Sequence, residues 1–146
     1  MYKEHIAEIN KIINVPIEEI WDALINPEKI KQYMYGTKST SNWKEGSKIE
    51  WEGELDGKTF EEKGVILLMI PETMLQYNRY RLSSKLNDTA DNFKTITIEL
   101  TKELNGVLVN VKEDNNQDLE DKNYTEQVWN KILNNLKTLL EEKEKH

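Results

Sequence analysis

The spacing of apolar residues changes along the chain, and each change predicts an element. From His5 to Val15, Ala7, Ile9, Ile13 and Val15 share one face at period two, with Lys11 interrupting it. That is the pattern of a half-buried strand. Pro16 ends it, and Ile17, Ile20, Trp21, Leu24 and Ile25 then recur at helical spacing. Asn26-Pro27 stops this helix and opens a second, Asn26 capping it and Pro27 taking its first position. Ile30, Tyr33 and Met34 give the second helix its apolar face, and Gly36 its stop.

From Thr37 the period returns to two. Ile49, Trp51, Gly53 and Leu55 alternate with Glu50, Glu52 and Glu54. Asp56-Gly57 is a hairpin signal, followed by a strand from Lys58 to Ile70. Pro71-Glu72 turns the chain into a strand from Met74 to Leu82, and the polar stretch Ser83 to Asn92 reads as a loop. Ile96, Ile98 and Leu100 alternate with threonines and Glu99, and Asn105-Gly106 turns into Val107, Val109 and Val111. The last element, from about Leu119 to Lys143, carries Val128, Trp129, Ile132, Leu133, Leu136, Leu139 and Leu140 on one helical stripe; the tail Glu141 to His146 is a charged end expected to fray. A strand, two short helices, a run of about six antiparallel strands and one long helix make an α+β layer fold. The chain reads as one domain over residues 1–146, with no repeat or linker.

Composition narrows the function. A net charge of −7 disfavours nucleic acid as a partner, because phosphate binding draws on clustered cations. With no cysteine, disulfides, thiolate metal sites and cysteine nucleophiles are excluded. The two histidines, His5 and His146, lie near the ends, so a histidine triad or multi-histidine metal site is not expected. Asp114 to Asp118 begins like a calcium loop but fails where Leu119 replaces the glycine and Thr125 the glutamate. The longest apolar run, Val65 to Ile70, is far short of the ~20 residues of a membrane span, and no signal peptide is evident, so the chain reads as cytoplasmic.

The segment from Val15-Pro16-Ile17 through Trp21 to Asn26-Pro27 and Ile30 resembles the opening of START-like (SRPBCC) domains. It is similar above all to the family of activator of heat-shock-protein-90 ATPase homologues. Gly64-Val65-Ile66 running to Pro71 and Leu75-Gln76-Tyr77, the Ile96 to Leu100 strand with Asn105-Gly106, and Tyr124 to Leu140 with Trp129 agree in order. The resemblance implies a helix-grip fold, a curved antiparallel sheet of about seven strands around the C-terminal helix, enclosing an apolar cavity. It also implies small-molecule binding, with some superfamily members acting as cyclases or dehydratases.

The candidate cavity residues follow. Trp51 and Trp129 lie on the apolar faces of their strand and helix, with Leu133 one turn further; core packing is the competing reading. Met34, Tyr35, Trp43 and Met69 could make adaptable apolar contacts at a rim or lining. On the 74–82 strand, Leu75, Tyr77, Arg79 and Arg81 share one face and Met74, Asn78, Tyr80 and Leu82 the other; the sequence leaves open which is inward. If the first is, Arg79 could meet a ligand carboxylate. Glu62 shares a face with Phe60 and Gly64 and is the best acid/base candidate if desolvated beside a tyrosine, whereas Glu50, Glu52 and Glu54 should be solvated.

The leading expectation is a non-enzymatic protein binding a small apolar or amphipathic molecule, with no catalytic residue, no metal and no cofactor. The alternatives are a chaperone-associated interaction module and a cyclase or dehydratase using Glu62.

Overall fold

The computed structural model describes residues 5–55, 57–82 and 88–144. Strand β1 (Ala7–Ile13) is followed by α1 (Ile17–Ile25) and α2 (Pro27–Tyr33). Then come β2 (Lys38–Ser41), β3 (Lys48–Leu55), β4 (Lys58–Ile70), β5 (Met74–Arg81), β6 (Lys94–Glu103), β7 (Gly106–Glu113) and the long α3 (Leu119–Glu144). The strands form one antiparallel seven-stranded sheet in the order β1-β7-β6-β5-β4-β3-β2. It curves around α3 in the helix-grip arrangement. Asp56 of the expected hairpin, residues 83–87 of the expected loop, and Lys145 and His146 of the tail lie outside the described residues.

The two short helices form where the sequence punctuates them. Asn26 ends α1 and caps α2, its Oδ1 accepting the Glu28 N–H at 3.0 Å, with Pro27 in the first turn. The buried Tyr33 hydroxyl donates to the Ala23 carbonyl at 2.9 Å and ties the helices together. At the end of α2 the Gly36 N–H reaches back to the Lys31 carbonyl, so the left-handed position of this Schellman turn falls on Tyr35, at φ 55°. Gly36 follows in the left-handed region as well, at φ 78°, so it ends α2 as the sequence suggests, with Tyr35 before it half exposed.

The inward faces follow the alternation. Ile49 and Trp51 of β3, Leu75 and Tyr77 of β5, Ile96, Ile98 and Leu100 of β6 and Val107, Val109 and Val111 of β7 are buried against Trp129, Ile132, Leu133, Leu136 and Leu140 of α3. Each such side chain contributes about 2 kcal/mol by leaving water. Thus the face of β5 carrying Leu75, Tyr77 and Arg79 is the inward one.

Two glycines allow the curvature. Gly64 lies so close to β5 that an added Cβ would stand 1.8 Å from the Asn78 carbonyl oxygen. Here the Asn78 side chain enters the ladder, its Oδ1 accepting the Val65 N–H at 2.8 Å, and the register shifts between Ile66 and Leu68. At Gly53 an added Cβ would meet the Phe60 ring at 2.9 Å, so the ring lies over β3 only because the side chain there is missing.

The outer edge of β1 is covered by α3. Glu126 accepts the Glu8 N–H at 3.0 Å, Glu141 accepts the Asn14 N–H at 2.8 Å, and Lys137 donates to the Ile12 carbonyl at 2.9 Å. These side chains occupy groups that another strand would otherwise pair with. The Glu8 N–H holds the Glu126 carboxyl below its ordinary pKa, against a smaller upward push from burial and with help from Lys122.

Gly64→Ala should destabilise by about 3 kcal/mol, because the clash is with backbone; urea unfolding that finds less than about 0.5 kcal/mol would contradict this register. Glu126 has a folded-state pKa below its unfolded value, so its ionised form stabilises the fold above about pH 4.3 and that stability is lost as pH falls through the lowered value. The parent's advantage over Glu126→Gln should therefore be present at neutral pH and vanish in acid; an equal deficit at both would assign the cap to shape.

Candidate functional site

Packing between sheet and helix is incomplete at one end. A cavity of about 160 Å³ lies there, walled by Trp51 of β3, Tyr77 of β5 and Val128, Trp129 and Ile132 of α3. Trp51 and Tyr77 pack ring against ring, centroids 5.2 Å apart. A smaller space of about 30 Å³ lies deeper, among Leu24, Ile30, Ile49, Leu133 and Leu136. The larger cavity opens into a groove of about 700 Å³ between β5, β6 and the start of α3.

At the junction of cavity and groove the inward faces stop being apolar. Glu113 continues the Val107, Val109, Val111 face of β7 and is only 1% exposed. Its Oε1 accepts the Trp129 indole N–H at 2.8 Å and its Oε2 accepts Arg79 Nη2 at 2.8 Å, with Lys94 Nζ 3.5 Å away. Arg79 Nε stands 3.8 Å from Glu62 Oε2, which also accepts Arg81 Nε at 2.9 Å and Nη2 at 2.8 Å. Lys94 continues the chain of charges to Asp121 at 3.6 Å. Strands β4, β5, β6 and β7 and helix α3 are thereby joined by one ionic network.

Its electrostatics are those of a settled network. Burial alone pulls the Arg79 guanidinium's pKa down, but Glu113 and then Glu62 outweigh it and hold it above the ordinary arginine value. Burial pushes the Tyr77 phenol up, Arg79 opposing and Glu113 and Glu62 adding, so the group stays protonated at neutral pH.

Of the residues singled out in the sequence, Met34, Tyr35, Trp51, Glu62, Tyr77, Arg79 and Trp129 line the larger cavity, and Trp43 and Leu133 the deeper space. Met69 lines neither. It lies beyond the β4 register shift, half-buried against the core, its N–H donating to Glu45 at 2.9 Å. Arg79 is committed to the chain's own carboxylates instead of standing open for a ligand's. Glu62 is inward, but its hydrogen bonds go to Arg81, and no tyrosine hydroxyl bonds to it among the described residues. Glu54 is exposed as expected, yet it lines the cavity rim, close to the turn of its hairpin.

Glu113, Phe60 and Tyr124 were not anticipated. The signal for Glu113 was present, since it is the next inward position after Val111. Tyr124 stands one turn before Val128 on α3 and is 60% exposed. Asp118, the would-be calcium ligand, caps α3 by accepting the Asp121 N–H at 2.8 Å, and Asp114 accepts the Thr95 N–H at 2.7 Å. Among the described residues no group of acidic or histidine side chains is arranged to hold a metal ion, and no helix is long and apolar enough to cross a membrane.

Replacing Glu113 by Gln should cost about 3 kcal/mol in urea unfolding, because a buried guanidinium then loses its carboxylate. Glu62→Gln should cost less, since its main partner Arg81 is half exposed. Equal losses would show that burial does not set the strength of this network.

The comparisons with known proteins agree with this geometry. Residues 14–141 match the family model of activator of Hsp90 ATPase homolog 1-like protein. The solution structure of ChR145 from Cytophaga hutchinsonii is 42% identical, covers both chains completely and superposes with a TM-score of 0.86. NE0264 from Nitrosomonas europaea, 17% identical over all of both chains, gives 0.76. DynU16, from the dynemicin biosynthetic locus, is 13% identical and gives 0.78, covering 94% of this chain and 48% of DynU16. At those identities the last two speak for the fold alone. No curated protein sequence matches the chain. With nearly the whole chain matched by the family model and ChR145 aligned end to end, the protein belongs to the activator of Hsp90 ATPase homolog 1-like family.

Proposed function

We propose that the protein binds a small amphipathic molecule whose apolar part enters the cavity between the sheet and α3 and whose polar part stays at the charged rim. The observation that carries this reading is the cavity itself, about 160 Å³ left open between Trp51, Tyr77 and Trp129. The cavity opens to solvent through the groove, so an apolar group entering it would gain by displacing water from the rings of Trp51, Tyr77 and Trp129. Cavities of roughly 150 Å³ hold a benzene ring, so the inserted group is about one aromatic ring or a short branched alkyl chain. The fully paired network of Glu113, Arg79 and Glu62 supports binding over acid/base chemistry, because each group already serves as a partner to another.

A second reading, an interaction module for a chaperone or other protein, draws on a different observation. Leu67, Leu68 and Ile70 all expose their side chains on one stretch of β4, away from the cavity.

Intrinsic tryptophan fluorescence tests the first reading, because Trp51 and Trp129 both line the cavity. Titration with single-ring aromatic alcohols and amines should give a saturable change. A ligand at 100 times its dissociation constant should also stabilise the fold by about 2.7 kcal/mol. Ile132→Trp, which fills the cavity from α3, should abolish the response while the protein stays folded. A response that survives this substitution, or no response to any ligand of this size, would overturn the cavity reading and leave the exposed β4 side chains as the surface to pursue.

A further inference from the structure

We infer that the ligand's polar end is a cation, an ammonium group carried on a ring-sized apolar body, held at the rim by Glu54 between the exposed rings of Tyr35 and Tyr124. This inference deepens the cavity reading and rests on it.

Cavity and groove together are lined by six carboxylates, Glu54, Glu62, Glu113, Asp118, Glu120 and Asp121, against three cations, Arg79, Arg81 and Lys94. All three cations are occupied. Arg79 bonds to Glu113 and stands beside Glu62, Arg81 bonds twice to Glu62, and Lys94 lies between Glu113 and Asp121 while donating to Asn116. The other place where an anion could dock is the start of α3, and there too the chain has supplied its own. Asp118 accepts the Asp121 N–H, and Asp121 accepts the Gln117 N–H at 2.8 Å. An anionic ligand would therefore have to break ion pairs inside a field of excess negative charge.

For a cation the same rim is favourable. Glu54 forms no ion pair among the described residues, and it lies on the cavity rim rather than in the groove. Tyr35 and Tyr124 are 50% and 60% exposed and border the same opening, one from the end of α2 and the other from α3. The left-handed backbone of Tyr35 puts a large ring at a position where glycine is normally preferred. Aromatic faces and an unpaired carboxylate beside an apolar cavity are complementary to an ammonium head on an apolar body. An exposed ion pair and a cation–π contact of ordinary strength together correspond to about ten-fold in affinity.

Three probes with one body and different heads test this: 3-phenylpropylamine, 3-phenylpropan-1-ol and 3-phenylpropanoate, titrated at neutral pH by tryptophan fluorescence. The amine should bind about ten-fold tighter than the alcohol, and the carboxylate weakest. Added salt should erode the amine's advantage, and Glu54→Gln should bring the amine down to the level of the alcohol. If the probes bind but the carboxylate binds best, or all three bind alike, the charge inference is overturned while the cavity reading stands. If the amine's advantage survives in Glu54→Gln with the variant's melting temperature unchanged, Glu54 is not its partner and the inference as stated fails. If none of the three binds, the cavity reading fails and this inference with it.

Discussion

A single buried carboxylate fixes the arrangement at the open end of the sheet. Glu113 is almost completely withdrawn from water, so both its oxygens need donors, and they find them on α3 (Trp129) and on β5 (Arg79). The first bond joins α3 to β7 at the open end. The second brings Arg79 inward, and Glu62 and Arg81 then follow. Removing Glu113 would take from the Arg79 guanidinium its hydrogen-bonded carboxylate, which costs more than the pair contributes when intact. The network makes the rim specific about where each charge sits.

The sheet that walls the space beside that network is irregular at two positions. Backbone contact at Gly64 and the Asn78 side chain in the β4–β5 ladder break the regular register, and the absence of a side chain at Gly53 lets Phe60 lie over β3. Trp51 and Tyr77 wall the larger cavity, while Leu133 and Leu136 border the deeper space and Leu140 packs in the core. At the sheet's margin, α3 also covers β1, so one helix fills the core, walls the cavity and protects an edge.

Membership of the activator of Hsp90 ATPase homolog 1-like family accounts for this architecture but leaves the chemistry to local residues. Fold and function are separable, and what a cavity takes depends on its volume and on the charge at its mouth. Here the volume is that of one ring, and the arginines at the mouth are already spent on the chain's own acids. A basic residue lining a cavity is thus a poor guide to ligand charge until its existing partners have been counted.

The sequence by itself determined the order and type of the elements, because period-two and helical spacing report which side of each segment leaves water. The Asn26-Pro27 junction, the alternation of β3 and the stripe on α3 were all legible in this way. So was the family, through the ordered segments from Val15 to Leu140. Tertiary structure decided the rest. Alternation shows that Leu75, Tyr77 and Arg79 share a face but not which way it points; only packing against α3 settles that. Glu113 continued an apolar face in plain view, yet its burial becomes acceptable only when a tryptophan from α3 and an arginine from β5 arrive as partners. Met69 fell out of the lining because a register shift changes the path of β4, which a pattern of single residues does not carry. Periodicity is a property of one segment, whereas a cavity and its charges are properties of several segments brought together.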